Sequence, residues 1–96
     1  MHASVRQYRS TDVAEVGRRA SDESSGFGPV ARGIQGLQAW YLIDSGDSTL
    51  TTVTICEDEA GVNESVEKAR EWVGDNAADL IEGVPTVTNG KVEAQA

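Results

Sequence analysis

The sequence predicts an α+β domain of ferredoxin-like plan: strand, helix, strand, strand, helix, strand, with an antiparallel sheet and two helices on one face. Three observations carry that expectation. Residues 37–43 (Leu-Gln-Ala-Trp-Tyr-Leu-Ile) and 50–56 (Leu-Thr-Thr-Val-Thr-Ile-Cys) are successive β-type runs separated by turn residues. A stretch with helical spacing of apolar residues lies on each side of that pair. A further β-type run stands at each end of the chain.

Taken in order, residues 3–9 read as a short strand with mixed faces. Ser10, Thr11 and Asp12 offer helix caps, and Glu15 sits three residues after Asp12, as in a capping box. Val13, Val16, Gly17 and Ala20 then share one helical face, which places a helix at 12–24. Residues 25–36 are irregular, punctuated by Gly26, Gly28, Pro29, Gly33 and Gly36, with room for a short helical turn at 29–32. The strand 37–43 meets a turn at 44–48, and strand 50–56 completes a hairpin whose turn has four or five residues. Asp58 caps a second helix, and Glu57 and Glu59 suit the positive end of its dipole. Val62, Val66, Ala69 and Val73 form its apolar stripe, with Trp72 at the stripe's edge, and Glu64 and Lys68 make an i, i+4 pair. Gly74, Asp75 and Asn76 loosen this helix, residues 77–81 add one more turn, and Gly83 and Pro85 end it. Residues 84–92 read as the last strand, Pro85 marking an edge or a strand start. Residues 93–96 are a polar tail.

A chain of 96 residues is one domain, 1–96. Its 16 acidic against 8 basic residues, a net charge of −8, argue against nucleic-acid partners and against docking on an anionic membrane. A single Cys excludes an intrachain disulfide, and one Cys with one His cannot build a structural zinc site, so no metal is expected. The first residues lack the apolar core of a signal peptide, and no run approaches a membrane span; the expected location is the cytoplasm, with Cys56 reduced.

A sheet face open to water alternates apolar and polar residues. The run 37–43 does not: Ala39, Tyr41 and Ile43 point one way and Trp40 and Leu42 the other. Two helices cover one face only, and a bare apolar face is one that monomers avoid. The reading is a homodimer packed sheet to sheet, with Trp40 and Leu42 at the interface; the alternative is that Trp40 lies under a loop such as 25–36.

Chemistry-bearing residues are few. His2 lies beside the terminus with no second ligand and no neighbouring nucleophile. Cys56 precedes three acids, which raise a thiol pKa, and reads as a core residue. Gly26-x-Gly28-x-x-Ala31 matches a loose dinucleotide fingerprint, but it follows a helix and precedes no helix of useful length. The acids at 44, 47 and 57–59 are turn and capping residues without calcium-loop spacing. Aromatic residues that line pockets offer polar handles, which makes Tyr8, Tyr41 and Trp72 candidate ligand contacts, with Arg6, Arg32 and Asn63 as polar ones. No catalytic residue is assigned.

The segment from Ile34 to Ser65 resembles the antibiotic biosynthesis monooxygenase-like superfamily. The matching features are the Gly33-x-x-Gly36 entry to an aromatic strand, the short hairpin, and a strand ending at Glu57-Asp58. Glu64-Ser65 at the helix opening and Trp72 near the helix end extend the match, which runs over roughly residues 3–92. The resemblance implies a dimeric α+β barrel, formed by two ferredoxin-like protomers. Some relatives are cofactor-independent monooxygenases that deprotonate an aromatic substrate and let it react directly with oxygen; others degrade haem. The haem-degrading pattern has an Asn near the first strand and a His on the second helix. Here the strand carries Arg6, Gln7 and Tyr8 and the helix has no His, which speaks against haem. Residues 25–33 also depart, being richer in Gly. The expectation is therefore an oxygenase-like protein without cofactor, with an aromatic-lined pocket for a small hydrophobic or aromatic ligand. In that role Arg6 or Arg32 would stabilise an enolate. The alternative is a non-enzymatic dimeric binding or interaction module, favoured by the lack of a good general base.

Overall fold

The computed structural model describes residues 1–96, in seven elements: β1 (His2–Ser10), α1 (Val13–Ala20), α2 (Phe27–Arg32), β2 (Leu37–Gly46), β3 (Thr49–Cys56), α3 (Glu59–Asn76) and β4 (Ile81–Lys91). The strands form one antiparallel sheet in the order β2-β3-β1-β4, so β1 and β3 are central and the ferredoxin-like expectation holds. The helices cover a single face, and α2 is an added element before β2.

Local chemistry sets each boundary. The Asp12 carboxylate accepts a hydrogen bond from the Glu15 backbone N–H at 3.1 Å and starts α1. Glu15 does not complete a capping box; it accepts from Arg18 and Arg19, which together hold its carboxyl down to about 2. Arg19 also donates to Asp79 and to the Asn76 carbonyl, pinning α1 to the end of α3. The helix stops at Ala20 and not at 24, because Asp22 turns its carboxylate onto the N–H groups of Ser24 and Ser25, both at 2.9 Å. Gly26 then packs against the carbonyls of Ala20 and Asp22. Beyond it α2 opens at Phe27, earlier than the expected turn at 29–32.

The β2–β3 turn is tighter than expected. Asp44 to Gly46 belong to β2, and only Asp47 and Ser48 make the turn, with φ of 52° and 59° as a type I′ hairpin requires. Ser45 is a bulge residue between the pairs Asp44–Leu50 and Gly46–Thr49.

Asp58 caps α3 by accepting from the Gly61 N–H at 3.2 Å. The buried stripe is Val62, Ser65, Ala69 and Trp72, so Trp72 faces inward and Val66 and Val73 flank the stripe. The helix runs unbroken through Gly74 and Asp75, and Arg70 pairs with Glu67 in place of a Glu64–Lys68 contact. Residues 77–80 form a turn and not a further helical turn, and β4 starts at Ile81. Gly83 and Pro85 lie inside β4, where its register on β1 jumps from Gln7–Thr86 to Arg9–Glu82. Gly83, Val84 and Pro85 bulge out opposite Tyr8, on an edge strand where a proline is tolerated.

The face assignment of β2 is reversed from the sequence reading. Gln38 is a bulge, so Leu37 and Trp40, three residues apart, share the helix-facing side and are followed there by Leu42. Trp40 pairs with Thr54 and packs on Phe27, ring centroids 5.1 Å apart. The open face carries Ala39, Tyr41 and Ile43, beside Val53 and Ile55 of β3 and Val5 of β1. Tyr41 is 57% and Ile43 46% exposed.

Gly61 lets α3 rest directly on the end of β3: a Cβ there would lie 2.5 Å from the Gln35 carbonyl and 3.0 Å from Cys56 Cβ. Gly61→Ala is expected to lower the unfolding free energy by about 1–3 kcal/mol, the usual cost of overpacking, as read by urea denaturation.

Candidate functional site

The inner face of the sheet is built from two facing rows. Ser4, Arg6 and Tyr8 of β1 pair with Thr54, Thr52 and Leu50 of β3, and all six point toward the helices. Four of the six are polar, in a layer where apolar side chains are the rule. Ser65 and Ala69 on α3 are small, which leaves space for the Arg6 side chain beneath the helix.

Arg6 is 2% exposed. Its Nη1 donates to the hydroxyls of Ser4 at 3.2 Å and Ser65 at 3.5 Å, and its Nη2 donates to the hydroxyl of Thr54 at 3.2 Å. The Ser65 hydroxyl in turn donates to the Val62 carbonyl at 2.7 Å, which fixes its lone pairs toward the guanidinium. Every partner is neutral, and none of the ion pairs in the structure includes Arg6.

A small cavity of about 30 Å³ opens beside this group, walled by Phe27, Trp40, Leu42 and Trp72 and floored by Arg6 and Thr52. A larger one of about 190 Å³ lies outside it, between Val66, Arg70 and Val73 of α3 and the bulged start of β4. Arg6, Tyr8, Val73 and Ile81 line both. No Asp, Glu or His lines either cavity. Three buried polar atoms on residues of the inner cavity have no hydrogen-bond partner: Arg6 Nε, Trp40 Nε1 and Thr52 Oγ1.

Of the six ligand contacts expected from the sequence, the structure brings Arg6, Tyr8 and Trp72 to the cavities and leaves three outside. Tyr41 points to the open sheet face, the opposite side from the cavity. Arg32 is exposed at the end of α2 and lines neither cavity. Asn63 shares a separate polar cleft with His2, Glu59 and Lys91, at the other end of α3. Trp72 is also core: its indole N–H donates to the Ser25 carbonyl at 2.9 Å and its ring meets Phe27 edge-on. Cys56 is fully buried, and burial first, then Asp58 and Glu64, push its thiol up, away from nucleophilic character. The sequence reading missed Thr52 and Phe27 as wall residues and put Trp40 and Leu42 on the wrong face. The available signal was Thr at the alternate positions 52 and 54 of β3, which pair with Arg6 and Ser4.

No protein-family model matches the chain, and no curated protein sequence does. Solved structures do match. A protein of unknown function from Nitrosomonas europaea superposes with a TM-score of 0.79 at 20% identity, over 99% of this chain and 91% of that one. A monooxygenase from Streptomyces coelicolor, in complex with nanaomycin D, superposes with a TM-score of 0.69 at 15% identity, over 99% and 89%. An antibiotic biosynthesis monooxygenase superposes with a TM-score of 0.66 at 16% identity, over 98% and 100%. The chain thus has the ferredoxin-like fold of antibiotic biosynthesis monooxygenase-like structures. No helix is long and apolar enough to cross a membrane.

The Thr52 hydroxyl is buried with no hydrogen-bond partner in the protein, which costs stability. Thr52→Val keeps the shape and removes the hydroxyl, and is expected to raise the unfolding free energy of the ligand-free protein by about 1 kcal/mol, measured by urea denaturation.

Proposed function

We propose that the protein is a homodimeric, oxygenase-like protein that holds a flat aromatic molecule in the cavity between sheet and helices. One observation carries the reading: a buried, incompletely bonded guanidinium, that of Arg6, lines both an aromatic-walled inner cavity and an outer cavity large enough for a ring. Its fold-mate from Streptomyces coelicolor is a monooxygenase with a ligand bound, which supports the reading by analogy of fold. In the reaction this suits, a phenol loses its proton to solvent, since the lining offers no carboxylate or imidazole as base. Arg6 stabilises the negative oxygen that results. One atom of O₂ then enters the ring, giving a quinone, and the other leaves as water.

The missing base also supports a second reading, a binding module without turnover. The two separate with 1-naphthol as probe, followed by tryptophan fluorescence and an oxygen electrode. Quenching with oxygen uptake above the buffer rate is the expected result. Quenching without uptake selects the binding module, and an unchanged spectrum removes the cavity as a ligand site.

The homodimer rests on the open sheet face, where Tyr41, Ile43, Val53 and Val5 are contiguous and apolar. A second copy packed sheet to sheet covers them and closes the barrel. Ile43→Glu places a charge within that contact. Native mass spectrometry is expected to show a dimer for the parent protein and a monomer for the variant, and a monomer for both would overturn the contact.

A further inference from the structure

Resting on the cavity being the ligand site, we infer that its ligand is a monocyclic aromatic carboxylate, with the carboxylate in the inner cavity against Arg6 and the ring in the outer one. The charge argument comes first. A guanidinium keeps its charge in proteins and has five N–H donors. Arg6 spends three on neutral hydroxyls, so Nε–H and one Nη2–H remain. A buried charge normally has a counter-charge. The chain has 16 acidic residues, yet none pairs with Arg6 and none lines either cavity. The missing negative charge is supplied by what binds.

The unmet hydrogen-bonding capacity has the same sense. Arg6 Nε and Trp40 Nε1 can only donate, and the Thr52 hydroxyl can donate. Thr52 lies opposite Arg6, and the residues Arg6, Trp40 and Thr52 all line the inner cavity. Nε and Nη2 form one edge of the guanidinium plane, the arrangement that grips two carboxylate oxygens side by side.

Size narrows the class. The inner cavity, about 30 Å³, is room for two water-sized groups, which matches the two oxygens of a carboxylate. The outer cavity, about 190 Å³, is of the size that admits a benzene ring, flanked by Tyr8, Val66, Val73 and Pro85. Arg6, Tyr8, Val73 and Ile81 line both, so the two cavities adjoin at the guanidinium.

The test titrates the full protein with sodium benzoate and, separately, with benzamide, following the two tryptophan indole N–H signals and the Arg6 Nε–H signal by NMR. Benzamide has the same shape without the charge. Benzoate is expected to bind at least tenfold tighter than benzamide, and to move the Arg6 signal and the indole signal of Trp40, while that of Trp72, held by Ser25, moves less. Arg6→Met is expected to abolish the preference for benzoate. Should that variant not fold, the comparison in the parent protein still decides. Equal binding of the two compounds overturns the anion while leaving the cavity a ligand site. Binding of neither overturns both. Equal shifts with sodium chloride assign the counter-charge to an inorganic ion and overturn the carboxylate.

Discussion

A guanidinium lies buried under α3 with hydroxyls for company, and the arrangement of the inner layer follows from that. Arg6 needs acceptors, and Ser4, Thr54 and Ser65 supply them from three different elements. It also needs volume, which the small side chains of Ser65 and Ala69 leave open. The apolar core therefore divides. One cluster gathers around Phe27, Cys56, Val62 and Trp72, and a smaller one around Tyr8, Val16 and Leu50. The cavity lies where an all-apolar layer would have closed.

The surrounding devices keep that space from collapsing. Trp72 is tied to the Ser25 carbonyl and braced against Phe27, so α2 and α3 hold one wall at a set distance. The bulge of Gly83, Val84 and Pro85 carries β4 away from Tyr8 and shapes the outer cavity; Val84 is left 93% exposed by it. Arg19 fastens α1 to the end of α3 through Asn76 and Asp79. These contacts are local and modest, but they act on the few positions that set the cavity's dimensions.

The two faces of the sheet divide the protein's roles. The inner face is polar at its centre and carries the proposed ligand site; the outer face is apolar at β2 and β3 and carries the proposed contact between copies. The two proposals are thus separable by single substitutions, since β1 and β3 present alternate residues to the two sides.

Element order, the two caps Asp12 and Asp58, and the alternating β3 strand were legible in the sequence, because short-range periodicity and cap chemistry act within a few residues. So was the candidacy of Arg6, Tyr8 and Trp72. The faces of β2 were not legible: both of its alternating sets are apolar, and the bulge at Gln38 shifts the phase by one residue. Nor was the α1 stop legible, since it depends on Asp22 folding back on Ser24 and Ser25 against continuing helical spacing. Arg32 and Tyr41 share residue types with the lining residues Arg6 and Tyr8, but their positions put them on the surface and the far face, and Asn63 lies in another cleft. The sequence by itself determined a ferredoxin-like chain with a net charge of −8 and the cation of Arg6 on its first strand. Only the tertiary structure decided that the cation is buried without a counter-charge, because pairing across strands and the seating of α3 are long-range choices that no local pattern encodes.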